Sequence, residues 1–124
     1  MTKKILVADD NRVSRELIRE VLEDATQKVL EAENGEDALE KVINEKPDVV
    51  LLDIQMPVFD GYEVLRRIRS DSRFDALPVI ALTAYAMKKD REKALSSGFD
   101  AYITKPVDGA SLRIRIKQIL DAKR

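Results

Sequence analysis

Short apolar runs alternate five times with stretches of helical periodicity along this 124-residue chain, and such an alternation leaves few architectures open. Residues 5–8 form an apolar run closed by two acids, as expected of a strand buried on both faces. From residue 12 to residue 25, Val13, Leu17, Ile18, Val21 and Leu22 follow helical spacing. Residues 28–32 read as a shorter, weaker strand, and Asn34-Gly35 then turns the chain into a helix carrying Ala38, Leu39, Val42 and Ile43. Pro47-Asp48 ends that helix, and residues 49–53 are the clearest strand of the set. Pro57 and Gly61 mark a loop over residues 56–61, followed by a helix with Val64, Leu65 and Ile68 on one side. Residues 78–83 are the fourth strand, and 88–97 a polar helix closed by Gly98. Residues 101–104 are the fifth strand, and 108–120 a last helix with Leu112, Ile116, Ile119 and Leu120 as its stripe.

Strands joined by helices of this length require right-handed crossovers, which build a parallel sheet covered on both faces. There is no linker, repeat or low-complexity segment, so residues 1–124 are expected to form one five-stranded α/β domain. Basic and acidic residues number 22 and 23, and the net charge of −1 offers no general attraction to nucleic acid or to an anionic membrane. The densest basic cluster, Arg66, Arg67 and Arg69, lies in a helical pattern and reads as a solvated face. The absence of cysteine and histidine excludes disulfides, thiolate and imidazole nucleophiles, and the metal sites those residues build. The opening Met-Thr-Lys-Lys-Ile has no apolar signal core, and no apolar run approaches the length of a membrane span. A cytoplasmic location without membrane insertion is the expectation.

In an open parallel sheet, ligands bind beyond the carboxyl ends of the strands. The first strand here ends in Asp9-Asp10, the third in Asp53 and the fourth in Thr83, while the fifth runs into Lys105-Pro106. Taken singly, each polar residue has an ordinary explanation. Asp10 suits a helix cap, Asp53 a solvated turn, Thr83 a strand-end β-former and Lys105 the surface, while Tyr102 suits a partly buried aromatic. Independent ordinary explanations at strand ends on the same side account poorly for the set. Two carboxylates about 4 Å apart repel by roughly 4 kcal/mol at an effective dielectric of about 20. A hard divalent cation relieves that repulsion, and magnesium suits a site of few carboxylates with room for phosphate oxygens. A carboxylate flanked by such an ion and by Lys105 is suited to accept a phosphoryl group, because that chemistry depends on positioning and charge neutralisation. Thr83 has a hydroxyl to offer a phosphate oxygen, and a carboxylate nucleophile needs no histidine as base.

With those residues placed, the chain resembles the receiver domains of two-component response regulators, of the single-domain chemotaxis and cell-cycle kind. The resemblance runs over essentially the whole chain. It rests on Asp9-Asp10, on Asp53-Ile54-Gln55-Met56-Pro57 with Asp60-Gly61, on Thr83-Ala84 and on Lys105-Pro106, in this order. It implies a flavodoxin-like, doubly wound (βα)5 fold with strand order 2-1-3-4-5. It implies Asp53 as phosphoacceptor, and Asp9, Asp10, Asp53 and the backbone carbonyl of Gln55 as ligands to Mg2+. Lys105 would contact the phosphate, Thr83 would follow it, and Tyr102 would turn inward as the threonine moves. A cis bond before Pro106 is implied as well. Gln55 and Tyr85, two residues beyond Asp53 and Thr83, occupy the positions that flank the attacking water and tune the lifetime of the aspartyl phosphate.

The function so implied is transfer of a phosphoryl group to Asp53 from a histidine kinase or a histidine phosphotransfer protein, followed by slow hydrolysis. Such a protein is a signalling device that catalyses only its own phosphorylation and dephosphorylation. The fourth helix, fifth strand and last helix would engage a downstream protein target. The first helix would receive the phosphodonor, with Leu17 either a contact there or part of the core. A phosphatase of the haloacid dehalogenase type would carry a second acid where this chain has Gln55. A flavin module would carry a glycine- or hydroxyl-rich loop where this chain has Asp9-Asp10. A receiver within a hybrid kinase or a longer regulator fits the same residues, although an end soon after the last helix suits a stand-alone protein. With no DNA-binding segment after Arg124, output is expected through protein contact.

Overall fold

The apolar runs form one parallel sheet of β1 (Lys3–Ala8), β2 (Gln27–Ala32), β3 (Val49–Asp53), β4 (Val79–Thr83) and β5 (Ala101–Thr104). Its order, β2-β1-β3-β4-β5, is the one expected. The connecting helices are α1 (Arg12–Leu22), α2 (Gly35–Glu45), α3 (Gly61–Arg69), α4 (Lys88–Ser96) and α5 (Gly109–Ala122), with a 3₁₀ turn at Ser72–Phe74 ahead of β4. The computed structural model describes residues 2–85 and 87–122, so the expected domain bounds of 1 and 124 lie outside the described residues.

Successive side chains of a strand point to opposite faces, and this divides each apolar run between two cores. Leu6, Ala8, Val50, Leu52, Val79 and Ala81 meet Ala38 and Val42 of α2, Val64, Leu65 and Ile68 of α3, and Ala94 of α4. Ile5, Val7, Val49, Leu51, Ile80 and Leu82 meet Ile18 and Leu22 of α1 and Leu112, Ile116 and Leu120 of α5. With both faces covered, every residue of β3 and β4 is buried, which explains why these strands do not alternate with polar residues.

The first helix departs from expectation in two ways. It ends at Leu22 rather than residue 25, because Glu23 is extended and Asp24 Oδ1 gathers the N–H groups of Thr26 and Gln27 at 2.7 and 3.0 Å into a turn. Val13 and Leu17 are 72% and 50% exposed, so Leu17 belongs to the surface and not to the core. The face of α1 turned toward β2 is instead occupied by two arginines. Arg15 Nε lies 3.0 Å from Glu31 Oε1, and Arg19 Nη2 donates to the Val29 carbonyl at 2.9 Å. Ile43 on α2 is likewise exposed. The remaining element boundaries agree with expectation to within one or two residues.

Capping and register together prepare the carboxyl edge of the sheet. Asn11 caps α1 by accepting the Ser14 N–H at 3.0 Å, so Asp10 is not the cap that it suits when taken alone. Asp60 caps α3 through the Glu63 N–H at 2.9 Å. Ala8 pairs with Leu52, Asp53 with Leu82, and Thr83 with Thr104. One step beyond these pairs, Asp9 stands beside Asp53 and Lys105 follows beside Thr83. The Lys105–Pro106 bond is cis, as implied by the resemblance.

Candidate functional site

β1 and β3 flank the point at which the winding of the sheet reverses, and the acidic residues stand at their carboxyl ends. Asp9 is fully buried, Asp53 nearly so at 5% exposure, and Asp10 is exposed on the outer side of the rim. Each can present a carboxylate oxygen such that all three lie within 4.8 Å of one another. Local turns hold two of them. Asp9 Oδ1 accepts the Asn11 N–H at 2.9 Å, and Asp53 Oδ1 accepts the Gln55 N–H at 2.9 Å. In both turns an aspartate accepts the N–H two residues on, which leaves its second oxygen directed elsewhere.

Lys105 occupies that second direction. Its Nζ donates to Asp53 Oδ2 at 2.9 Å and lies 2.6 Å from Asp9 Oδ2. The latter is an ion pair by distance but is not aligned as a hydrogen bond, and Asp9 Oδ2 has no hydrogen-bond partner although it is buried. Burial pushes the Asp53 carboxyl up from its ordinary range, and this outweighs the hydrogen bonds from Lys105 and the Gln55 N–H that pull it down. Burial also works against the Lys105 charge, yet the carboxylates of Asp9 and Asp53 beside it leave the ammonium raised above its ordinary value. The contact favours the charge on both partners, but at Asp53 burial outweighs it while at Lys105 it does not. The lysine side chain remains 21% exposed against 7% for Asp53, and so gives up less hydration.

These residues fit a divalent metal. The donors are all carboxylate oxygens, one is buried without a hydrogen-bond partner, and one carboxyl is raised by burial. A small hard cation such as Mg2+ matches that donor set.

The other expected residues fall around this group. Thr83 is buried at the end of β4, and its Oγ1 accepts the Tyr85 N–H at 3.2 Å. Tyr102 is 5% exposed, already inward, and its hydroxyl donates to the Tyr85 carbonyl. Gln55 and Tyr85 are both exposed, and Gln55 Nε2 donates to Tyr85 Oη at 2.6 Å. Two side chains from the separate loops that follow β3 and β4 are thereby joined, a contact across 30 residues that no local pattern reveals. Arg15 is a second addition, because its Nη1 donates to the Asp9 carbonyl at 2.7 Å. Its only trace in the sequence is the Arg15/Arg19 spacing on α1, opposite a lone acid, Glu31, in β2. A cavity of about 340 Å³ lined by Ser14, Leu17, Ile18, Lys105, Pro106 and Val107 opens beside the site on the α1 side. No helix among the described residues is long and apolar enough to cross a membrane.

The fold is that of the flavodoxin-like doubly wound domains, with polar residues gathered where such domains bind their ligands. Residues 5–117 match the family model of the response regulator receiver domain. An uncharacterized 14.6 kDa protein in the sodA1 3′ region of Leptolyngbya boryana is 46% identical over 114 residues, spanning 92% of this chain and 86% of its own. The polar-differentiation response regulator DivK of Brucella anthropi is 36% identical over 107 residues, or 86% of this chain and 87% of DivK. The crystal structure of a CheY-like receiver domain protein from Methanospirillum hungatei superposes with a TM-score of 0.89 at 31% identity, covering 99% of this chain and 97% of that one. The chain belongs to the response regulator receiver domain family, the signalling domains of two-component systems.

Proposed function

We propose that this protein is a phospho-acceptor switch in which Asp53 takes a phosphoryl group from a phosphohistidine of a histidine kinase or a histidine phosphotransfer protein. The observation that carries this reading is the burial of Asp53 beside Asp9, with Lys105 Nζ 2.9 Å from the Asp53 oxygen not held by the Gln55 N–H. That oxygen is the natural nucleophile, because its partner is a movable ammonium and not a backbone group. Asp9, Asp10 and Asp53, with the backbone carbonyl of Gln55, would hold Mg2+. When bound, Mg2+ neutralises charge on the incoming phosphoryl oxygens. Lys105 swings from the carboxylate to a phosphate oxygen, remaining an ion pair throughout. On this reading the protein catalyses only its own phosphorylation and dephosphorylation.

The switch follows from what surrounds Thr83. A new anionic group with strong acceptor oxygens draws the Thr83 hydroxyl, whose hydrogen is not used by the Tyr85 N–H, so that Thr83 turns and donates toward the phosphate. Tyr85 and Tyr102 are joined through the Tyr85 carbonyl, which couples the loop after β4 to β5 and from there to the surface of α4, β5 and α5. That surface is the proposed contact for a downstream protein target. The phosphodonor docks on α1, where Val13 and Leu17 are exposed and Leu17 borders the cavity that reaches Lys105. Gln55 and Tyr85, hydrogen-bonded to each other, tune the lifetime of the phosphorylated state by obstructing water.

Intact mass after incubation with acetyl phosphate tests the reading, with and without Mg2+, for wild type and Asp53→Ala. The expected result is the gain of one phosphoryl group that requires Mg2+ and Asp53. No gain in any condition refutes phosphoacceptor chemistry by this route, and a gain retained in Asp53→Ala refutes the assignment of the acceptor.

A further inference from the structure

A carbonyl at the edge of the acidic site is held by a side chain and not by the sheet. The Asp9 N–H still belongs to the ladder and donates to the Ala32 carbonyl at 3.0 Å. β2 ends at Ala32, and the Asp9 carbonyl accepts from Arg15 Nη1 at 2.7 Å. This carbonyl and the Asp10 N–H share one planar peptide unit. Whatever fixes the carbonyl therefore fixes the direction in which the chain leaves Asp9 and from which Asp10 projects. Arg15 is held in its turn. Its Nε lies 3.0 Å from Glu31 Oε1, while Arg19 Nη2 lies 3.1 Å from Glu31 Oε2. Only 12% of the Arg15 side chain is exposed, so the guanidinium is wedged between the edge strand and the acidic loop. A partly buried ion pair contributes little to stability compared with apolar packing, and its geometry is the more informative property.

We propose that Arg15 is a positioning residue for the metal site, holding the Asp9–Asp10 peptide so that both carboxylates converge with Asp53, with Glu31 orienting Arg15. The proposal rests on the receiver reading given above. It has a sign that distinguishes it from electrostatics. Arg15 is a cation near a site for another cation, so if charge were its only influence, its removal would tighten Mg2+ binding. Positioning predicts weaker binding, because the peptide carrying Asp10 loses its anchor. Groups that orient metal ligands from outside the coordination sphere typically alter affinity by about 10–100-fold.

The test is a titration of the full 15N-labelled chain with MgCl2 alone, followed by amide resonances, for wild type, Arg15→Met, Arg15→Lys, Glu31→Gln and Arg19→Met. Arg15→Met is expected to raise the Mg2+ Kd by about tenfold or more. Arg15→Lys is expected to raise it as well, since an ammonium keeps the charge but lacks the fork that spans Glu31 and the Asp9 carbonyl. Glu31→Gln should give a smaller rise that is not additive with Arg15→Met. Arg19→Met shares the glutamate but bonds the Val29 carbonyl, away from the acidic loop, and should leave the Kd unchanged. An unchanged or lowered Kd in Arg15→Met overturns the proposal, as does an equal rise in Arg19→Met. If Arg15→Met does not fold, Glu31→Gln decides, and an unchanged Kd there overturns the proposal. Wild type that binds no Mg2+ overturns the receiver reading itself, whereas binding in wild type with unaffected variants overturns only the role of Arg15.

Discussion

Replacing Gly61 by alanine tests how the turn that carries Asp53 is held. Gly61 is the first residue of α3, its N–H donates to the Ile54 carbonyl at 2.7 Å, and the residue is buried against the end of β3. A Cβ at this position would lie 2.7 Å from the Asp53 carbonyl oxygen and 2.7 Å from Ile54 Cα. Carbon contacts are favourable at about 3.5–4.0 Å, and backbone atoms cannot swing aside as a side-chain tip can. Helix propensity argues the other way, since alanine is preferred over glycine by about 0.8–1.0 kcal/mol in a helix interior. Overpacking a close contact costs about 1–3 kcal/mol, and with two backbone atoms involved the upper part of that range applies. The net expectation for Gly61→Ala is a loss of about 1–2 kcal/mol, large beside the roughly 5–15 kcal/mol that stabilises a domain. Equilibrium urea unfolding by circular dichroism measures it, and the amide resonances of Ile54 and Gln55 report whether the acceptor turn has moved. A variant as stable as wild type, with those resonances unshifted, refutes the reasoning that close approach of Gly61 sets the position of the Asp53 turn.

Further predictions follow from other local features. Tyr85→Ala removes the hydroxyl that accepts from Gln55 Nε2 at 2.6 Å and should speed aspartyl-phosphate hydrolysis severalfold; an unchanged decay rate, read by phosphoprotein gel, rules out shielding by Tyr85. Val58 is 66% exposed with φ at 72°, a left-handed conformation in which a β-branched residue is strained. Relief of roughly 1–2 kcal/mol, less about 0.4–1 kcal/mol for the freer unfolded chain, predicts a net gain of about 0.5–1 kcal/mol in Val58→Gly. Lower stability in urea would contradict this. Hydrogen bonds from Arg66 and then Arg67 hold the Glu63 carboxyl down from 4.5 to about 2. A folded-state value below the unfolded one stabilises above the unfolded value and is lost as pH falls. The difference in Tm between wild type and Glu63→Gln should therefore be constant above about pH 4.5 and close toward pH 2, though the pair is exposed and the difference small. A difference that persists unchanged at low pH would sink the assignment.

What the amino-acid order determined by itself was whatever depends on neighbours along the chain. The buried strands show as apolar runs because both faces of the sheet are covered, and the helices show in their spacing because one stripe of each meets that sheet. The candidate site was legible for the same reason. Asp9, Asp53, Thr83 and Lys105 stand at or just beyond the carboxyl ends of four strands, so a parallel sheet gathers them whatever the detail. Tertiary structure decided which side chains fill the spaces between elements. Val13 and Leu17 have the spacing of a buried stripe, yet they are exposed because the face of α1 toward β2 is committed to Arg15 and Arg19 around Glu31. The Gln55–Tyr85 and Tyr102–Tyr85 contacts each join separate segments, and only the placing of those loops makes them partners. Arg15 meets the Asp9 carbonyl because β2 stops at Ala32, leaving to a side chain what the sheet no longer supplies. Periodicity records which face of an element is apolar. Which polar group fills the gap where a ladder ends depends on where neighbouring elements stop, and that is settled only when they pack.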